Sequence, residues 1–286
     1  MKKTANGASS IAMLKSIYNS LSKAEQKVAD VVLGDVQTTV YSSVTDLAEK
    51  AAVGETTVIR FCRKLGFRGF QEFKLSLAQE LVSPSEHVHG QLEESDTLET
   101  MKKKITSYNV KALEDTQSLL QESELMKATD ALIRGKRLFF FGVGSSGITA
   151  YDAKYRFMRL GFNADAASDA HVIAMNCALV NENDVVVGIS TSGSTKDLVD
   201  AIRIAKENGA FIICLTNHAR SPITSYADAT LLGASKESPM QGGAFASKLA
   251  QIHILDILST VVALRMKESA FSALERTAKS VVDKIY

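Results

Sequence analysis

Neither sign of charge dominates this 286-residue chain, in which 33 lysines and arginines face 32 aspartates and glutamates for a formal net charge of +1. So even a balance predicts no polyanion partner by itself, although it can hide a basic surface on one domain. Cysteine is scarce: Cys62, Cys177 and Cys214 lie far apart, with no close pair to suggest zinc and no even count for a disulfide framework. A reducing cytoplasm is the expected compartment. No apolar run reads as long enough to span a bilayer, and Lys2 and Lys3 lead into the mixed segment from Ile11 to Ser20, which lacks a signal peptide's apolar stretch. Neither export nor membrane insertion is expected.

What is present is ordinary for a globular protein, at 45% hydrophobic and 23% charged residues, and long enough for two cores. Between Ser22 and about Val82 the spacing predicts several short helices. Val28, Val31 and Val32 give one apolar stripe; Val44, Leu47, Ala48 and Ala51 a second; Val58, Phe61, Cys62 and Leu65 a third; Phe70, Phe73 and Leu77 a fourth. Val82 to Asp96 is polar and aperiodic, with Pro84, and reads as a linker. A long helix carrying Leu98, Met101, Ile105, Tyr108, Ala112 and Leu119 follows, and another starts near Ser123.

After Arg134 apolar runs alternate with amphipathic segments, which predicts a mainly parallel sheet covered on both faces. The strand candidates are Leu138 to Phe141, Asp184 to Ile189, Phe211 to Leu215 and Thr230 to Leu232, with a shorter one near Phe162 to Ala166. Ala244 to Leu264 reads as a buried helix, and Ala270 to Ile285 as a closing amphipathic one. The expected domains are 1–82, all-α; 83–124, linker and connecting helix; and 125–286, a doubly wound α/β unit.

Ser43 to Lys50 and Glu55 to Leu65 are two short helices separated by a turn at Ala52 to Gly54. So short a connection makes them cross steeply and frees one face of the second for a DNA major groove. That face carries Thr56, Arg60, Arg63 and Lys64. With Arg68 and Lys74 nearby and Glu72 opposing them, phosphate contacts are locally favourable. The bland alternative is a solvated surface helix, where arginine and lysine commonly sit. Cys62 shares a face with Val58 and Leu65 and reads as core.

Two further loops carry chemistry. Leu138 to Phe141 runs into Gly142-Val143-Gly144-Ser145-Ser146-Gly147 and then a helix, so backbone amides, hydroxyls and a helix N-terminus make an anion pocket. Ser190-Thr191-Ser192-Gly193-Ser194-Thr195 repeats the design. Two hydroxyl-rich loops suit a compact phosphate. Gly142, Gly144 and Gly147 also satisfy a dinucleotide fingerprint, with Asp165 near the ribose-binding position; the second loop and the serine enrichment weigh against that cofactor, and plain tight turns are a third possibility.

The run Val58-Ile59-Arg60-Phe61-Cys62-Arg63-Lys64-Leu65-Gly66-Phe67, followed by Gly69-Phe70 and Phe73-Lys74, resembles the N-terminal domain of RpiR-family regulators. The two loops resemble the sugar isomerase (SIS) domain that those regulators carry C-terminally. Gly54 departs from the family, whose members usually cap the recognition helix with serine there; glycine is a weaker N-cap by a few tenths of a kcal/mol. The resemblance implies operator DNA and a phosphorylated sugar effector as partners, with Ser145 and Ser146 in the first loop and Ser190, Ser192 and Thr195 in the second. It further implies Ser247 near the ligand, beside Lys248, where relatives often have arginine, and a matching segment holding Asp169 and His171. Asp169 can equally be a helix cap, and His171 a plain surface residue.

Self-association through the C-terminal domain, as a homodimer or homotetramer, would pair two recognition helices on a roughly palindromic operator. No cofactor or metal is expected; His87 and His89 sit in the linker without a third ligand. An isomerase with a helical assembly domain is the alternative. It would need a general base, for which Glu237 and His171 are the candidates; with a DNA-binding domain attached, binding without turnover is expected.

Overall fold

The protein is described by a computed structural model over residues 9–81, 92–93, 95–234 and 245–284. Two compact units part between Tyr108 and Asn109.

The first unit is built from α1 (Ser10–Ile17), α2 (Lys23–Gly34), α3 (Val36–Tyr41), α4 (Val44–Lys50), α5 (Glu55–Lys64) and α6 (Phe70–Leu81). The four apolar stripes meet in one core around Val28, Leu47, Val58, Phe61, Phe73 and Leu77, where Phe61 and Phe73 pack edge to face at 5.6 Å. Capping boxes start α2 at Ser22 with Glu25 and α4 at Ser43 with Asp46. Helices α1 and α3 had no stripe of their own in the sequence. α1 is anchored at long range, by Ser9 Oγ donating to Glu80 at 2.5 Å and the Ser10 and Ser76 hydroxyls meeting at 2.5 Å. Such contacts have no local signature.

Most of the linker, with Pro84, His87 and His89, lies outside the described residues, as does Glu237. α7 (Leu98–Leu119) is the expected long helix, and α8 (Glu122–Arg134) follows. Beyond Tyr108, α7 belongs to the second unit, where Thr116 Oγ1 accepts from the Ala234 amide at 3.0 Å.

That unit holds five parallel strands in the order β2-β1-β3-β4-β5: β1 (Arg137–Phe141), β2 (Ala164–Ala167), β3 (Asp184–Ile189), β4 (Phe211–Thr216) and β5 (Ala229–Leu232). Alternation along the strands feeds two cores. Leu138, Phe140, Val185, Val187, Ile213 and Leu215 pack under α8, α9 (Ser145–Arg159) and α12 (Phe245–Met266). Phe139, Phe141, Val186, Ile212 and Cys214 pack under α10 (Ala170–Leu179) and α11 (Lys196–Glu207). α13 (Glu268–Lys279) is the last α-helix among the described residues, shorter than the expected Ala270 to Ile285.

α12 corrects one expectation, because its 22 residues are long and apolar enough by composition to cross a membrane. Ala250, Ile254, Leu255, Leu258 and Val262 are nevertheless spent inside the domain, the behaviour of a core helix.

Candidate functional site

The turn between α4 and α5 closes in an unexpected place. Gly54, at φ −80°, caps α5 without any side-chain hydrogen bond, while Ala52 takes φ +50°. Val53 N–H reaches back to Ala48 O at 2.9 Å, the closure that wants a left-handed residue just after a helix. α5 ends the same way, with Gly66 at φ +88° and Phe67 N–H on Cys62 O at 3.0 Å. Thr45 Oγ1 donates to Glu55, tying α4 to α5 across the turn.

Val58, Phe61 and Cys62 point inward from α5, which leaves Thr56, Arg60, Arg63 and Lys64 exposed, with Arg68 exposed just beyond. Thr56, Arg60 and Arg63 fall on one stripe. Lys64 turns back instead: its ammonium donates to Ser20 O at 2.9 Å and pairs with Glu25 at 3.1 Å, locking α5 to α2. The Ser22 amide, and then Lys64, hold the Glu25 carboxyl below its ordinary range against the effect of burial.

Lys74 overturns its place in the basic footprint, being buried, with Nζ donating to Ser42 O at 2.7 Å and lying 5.5 Å from the Phe70 ring centroid. It supports the chain entering α4. Burial pushes its ammonium down to about 8, with Asp46 pulling the other way. Below pH 8 both folded and unfolded chains hold this proton, and the cost of the buried cation is fully present. Between pH 8 and the ordinary 10.5 the unfolded chain binds more protons, so stability rises with pH. The displacement corresponds to about 3 kcal/mol. Above pH 9 the buried Cys62 thiol, pushed up to about 12, acts in the opposite sense. The first unit should therefore gain stability from pH 8 to 9, measured by urea unfolding, and Lys74→Met should remove that gain; an unchanged pH profile in the variant would contradict this account.

In the second unit, β1 and β3 are neighbours on either side of the point where strand order reverses, the place where such sheets bind ligands. Phe141 pairs with Gly188, so the loops starting at Gly142 and Ser190 leave the same edge side by side. In the first, Gly144 takes φ +62°, and a side chain on Gly142 would run 2.6 Å from Ser146 O. In the second, Gly193 takes φ +61° against Ser221. Ser145 is exposed while Ser146 and Ser190 are buried; Ser190 and Thr195 hydroxyls lie 3.2 Å apart, and Ser192 Oγ accepts from Ser194 N–H at 3.3 Å.

The helices that follow these loops, α9 and α11, have no side-chain cap on their first amides. α10, which leaves the same edge after β2, is capped by Asp169, whose carboxylate accepts from His171 and Val172 amides at 3.0 Å. Asp169 is therefore a cap, and His171 is exposed on the first turn of α10. Two uncapped helix starts side by side leave amide donors and positive helix ends for an anion. Asp165, which the dinucleotide alternative needed, is engaged by Lys154 at 2.7 Å.

α12 ties α9 to the second loop through Gln251, to which the sequence analysis gave no role, and reaches the first loop through Lys248, beside the expected Ser247. Gln251, almost fully buried, accepts from Thr149 Oγ1 at 2.7 Å and donates to Thr191 Oγ1 at 3.0 Å. One turn earlier Lys248 donates to Ser145 O and to Thr149 Oγ1, and Ser247 is buried beside it. The available signal was a polar pair, Ser247 and Gln251, four apart in an otherwise apolar helix.

A helix-turn-helix unit linked to a doubly wound domain with two hydroxyl-lined loops at its switch point is the architecture of a one-chain transcription regulator. Residues 9–84 match the helix-turn-helix domain of the rpiR family, and residues 131–261 the SIS domain. An HTH-type transcriptional regulator of Haemophilus influenzae is 37% identical over 94% of both chains. The HTH-type transcriptional regulator HexR of Escherichia coli is 34% identical, over 94% of this chain and 92% of its own. The chain belongs to the RpiR family of helix-turn-helix transcriptional regulators. Among solved structures, the Vibrio vulnificus NanR protein complexed with ManNAc-6P superimposes with a TM-score of 0.87 at 28% identity, covering 96% of this chain and 99% of NanR.

Proposed function

We propose that this regulator binds operator DNA through Thr56, Arg60, Arg63 and Arg68, and that a phosphorylated sugar at the two serine loops sets its affinity for that operator. Lys64 serves as the strut that orients α5. Ser145, Ser146, Ser190, Ser192 and Thr195 surround the phosphate; Ser247 and His171 flank the sugar. The observation that carries this reading is the pair of uncapped helix starts, with Gln251 bridging Thr149 of α9 to Thr191 of the second loop. Two or more copies act together in the cytoplasm on a roughly palindromic site, and the effector changes their arrangement only as far as it binds one arrangement more tightly. The sugar is bound and released unchanged, in keeping with relatives that are named regulators.

A thermal-shift panel of hexose, pentose and amino-sugar phosphates tests this, with ManNAc-6P included because NanR was solved with it. A true effector at a hundred times its dissociation constant stabilises by about 2.7 kcal/mol. Ser192→Ala and Thr195→Ala should lose that shift and the effector response in a gel shift while keeping operator affinity. Turnover of any panel member would count against a pure sensor.

A further inference from the structure

α9 is apolar on two opposite sides. Ala150, Ala153 and Phe157 enter the core, yet Ile148, Tyr151, Tyr155 and Met158 lie outward with 43% to 64% of their surface exposed. A surface helix normally turns charge to solvent there. The exposed positions fall 3, 4 and 3 apart, the spacing of a seam between two helices. Read in either direction the seam is aliphatic, aromatic, aromatic, aliphatic. Such a surface is complementary to itself under a two-fold axis.

We propose that the outward seam of α9 pairs antiparallel with the α9 of a second copy. Ile148 then meets the partner's Met158, and Tyr151 meets the partner's Tyr155. The same register brings Asp152 beside the partner's Arg159. Among the described residues Arg159 makes no ion pair; its guanidinium lies over the Tyr155 ring, 6.0 Å from the centroid. Lys154, which faces its own symmetry mate near the axis, is neutralised by Asp165 at 2.7 Å. Tyr155, Arg156 and Arg159 also border a groove of about 340 Å³ between α9, α12 and α13, open to a partner's side chains. The four seam residues present on the order of 400 Å² per copy, about half of what a stable interface buries on each side, and the groove walls extend it. α10 exposes Val172, Met175 and Leu179 at similar spacing but has neither the aromatic pair nor the flanking charges.

This names the surface for the self-association in the proposed function. In sedimentation equilibrium the full chain should run at twice its 30.9 kDa, or a multiple of that. Tyr151→Glu with Tyr155→Glu should step the mass down at least twofold while leaving the effector's thermal shift in place. As a test that keeps the surface intact, Lys154→Cys should cross-link between copies with a short bis-maleimide and Lys136→Cys should not; the three native thiols are buried. A monomeric wild type would overturn both this inference and the assembly part of the proposed function. A double variant of unchanged mass, a Met175→Glu variant that alone dissociates, or an unreactive Lys154→Cys would overturn the α9 seam and leave that function standing.

Discussion

Arg60→Ala combined with Arg63→Ala is expected to weaken operator binding about a thousandfold near physiological salt, and to flatten the salt dependence. Each cation that meets a phosphate contributes about 0.9 to the slope of log affinity against log salt concentration. Two arginines on each of two copies make four contacts, so the slope should fall by about 3.6. The placement of the side chains favours these positions over the neighbouring lysines. Thr56, Arg60 and Arg63 share the outward stripe of α5, whereas Lys64 and Lys74 spend their ammonium groups inside the unit. Lys64→Ala should therefore lower thermal stability first and leave the salt slope nearly unchanged. If instead Lys64→Ala flattened the slope as the arginine variants do, the recognition face would have to be redrawn. Loss at a single operator base position in an Arg60→Ala variant, about 1 to 3 kcal/mol, would mark that side chain as a base reader.

Gly193→Ala is expected to be the most damaging single substitution at the effector site. The backbone there is left-handed, at φ +61°, and an added Cβ would stand 2.1 Å from Ser221 Oγ and 2.5 Å from Ser221 Cβ. Ser221 cannot swing away cheaply. Its hydroxyl donates to His218 O at 3.4 Å, its amide donates to Thr224 Oγ1 at 3.1 Å, and the next turn hangs from Gly193 O through the Ile223 amide at 3.0 Å. Strain and overpacking together should cost about 3 to 5 kcal/mol, near the upper end for one residue. For a unit of this size that lowers its melting temperature by about 10 °C. Calorimetry should show the second unit's transition moved and the first unit's in place, with no effector-dependent shift. A variant that melts normally and still responds to effector would show that the loop geometry is not what holds the phosphate.

The strands, the helix-turn-helix pair and both serine loops were legible because each is written in local spacing. β3 needs six buried residues in a row, and α5 needs Val58, Phe61 and Cys62 on one side. Gly144 and Gly193 announced turns that other residues adopt only with strain. The left-handed Ala52 was not legible, since alanine gives no sign that it will end a helix where glycine usually does. Nor were the fates of Lys64 and Lys74. A lysine reads as surface charge until a neighbour distant in sequence claims it, as Glu25 and Ser42 do.

The sequence by itself determined which elements form, their order, and the chemistry of the hydroxyl-lined turns, because backbone propensity, apolar period and turn residues act over a few positions. Only the tertiary structure decided which polar groups remain available. Asp169 is consumed by capping, two lysines by struts, and Gln251 by a bridge from α9 to the second loop, which lie far apart along the chain. Those outcomes depend on which buried donors and acceptors meet across the fold, and a buried polar group left without a partner costs too much for the pairing to be left open.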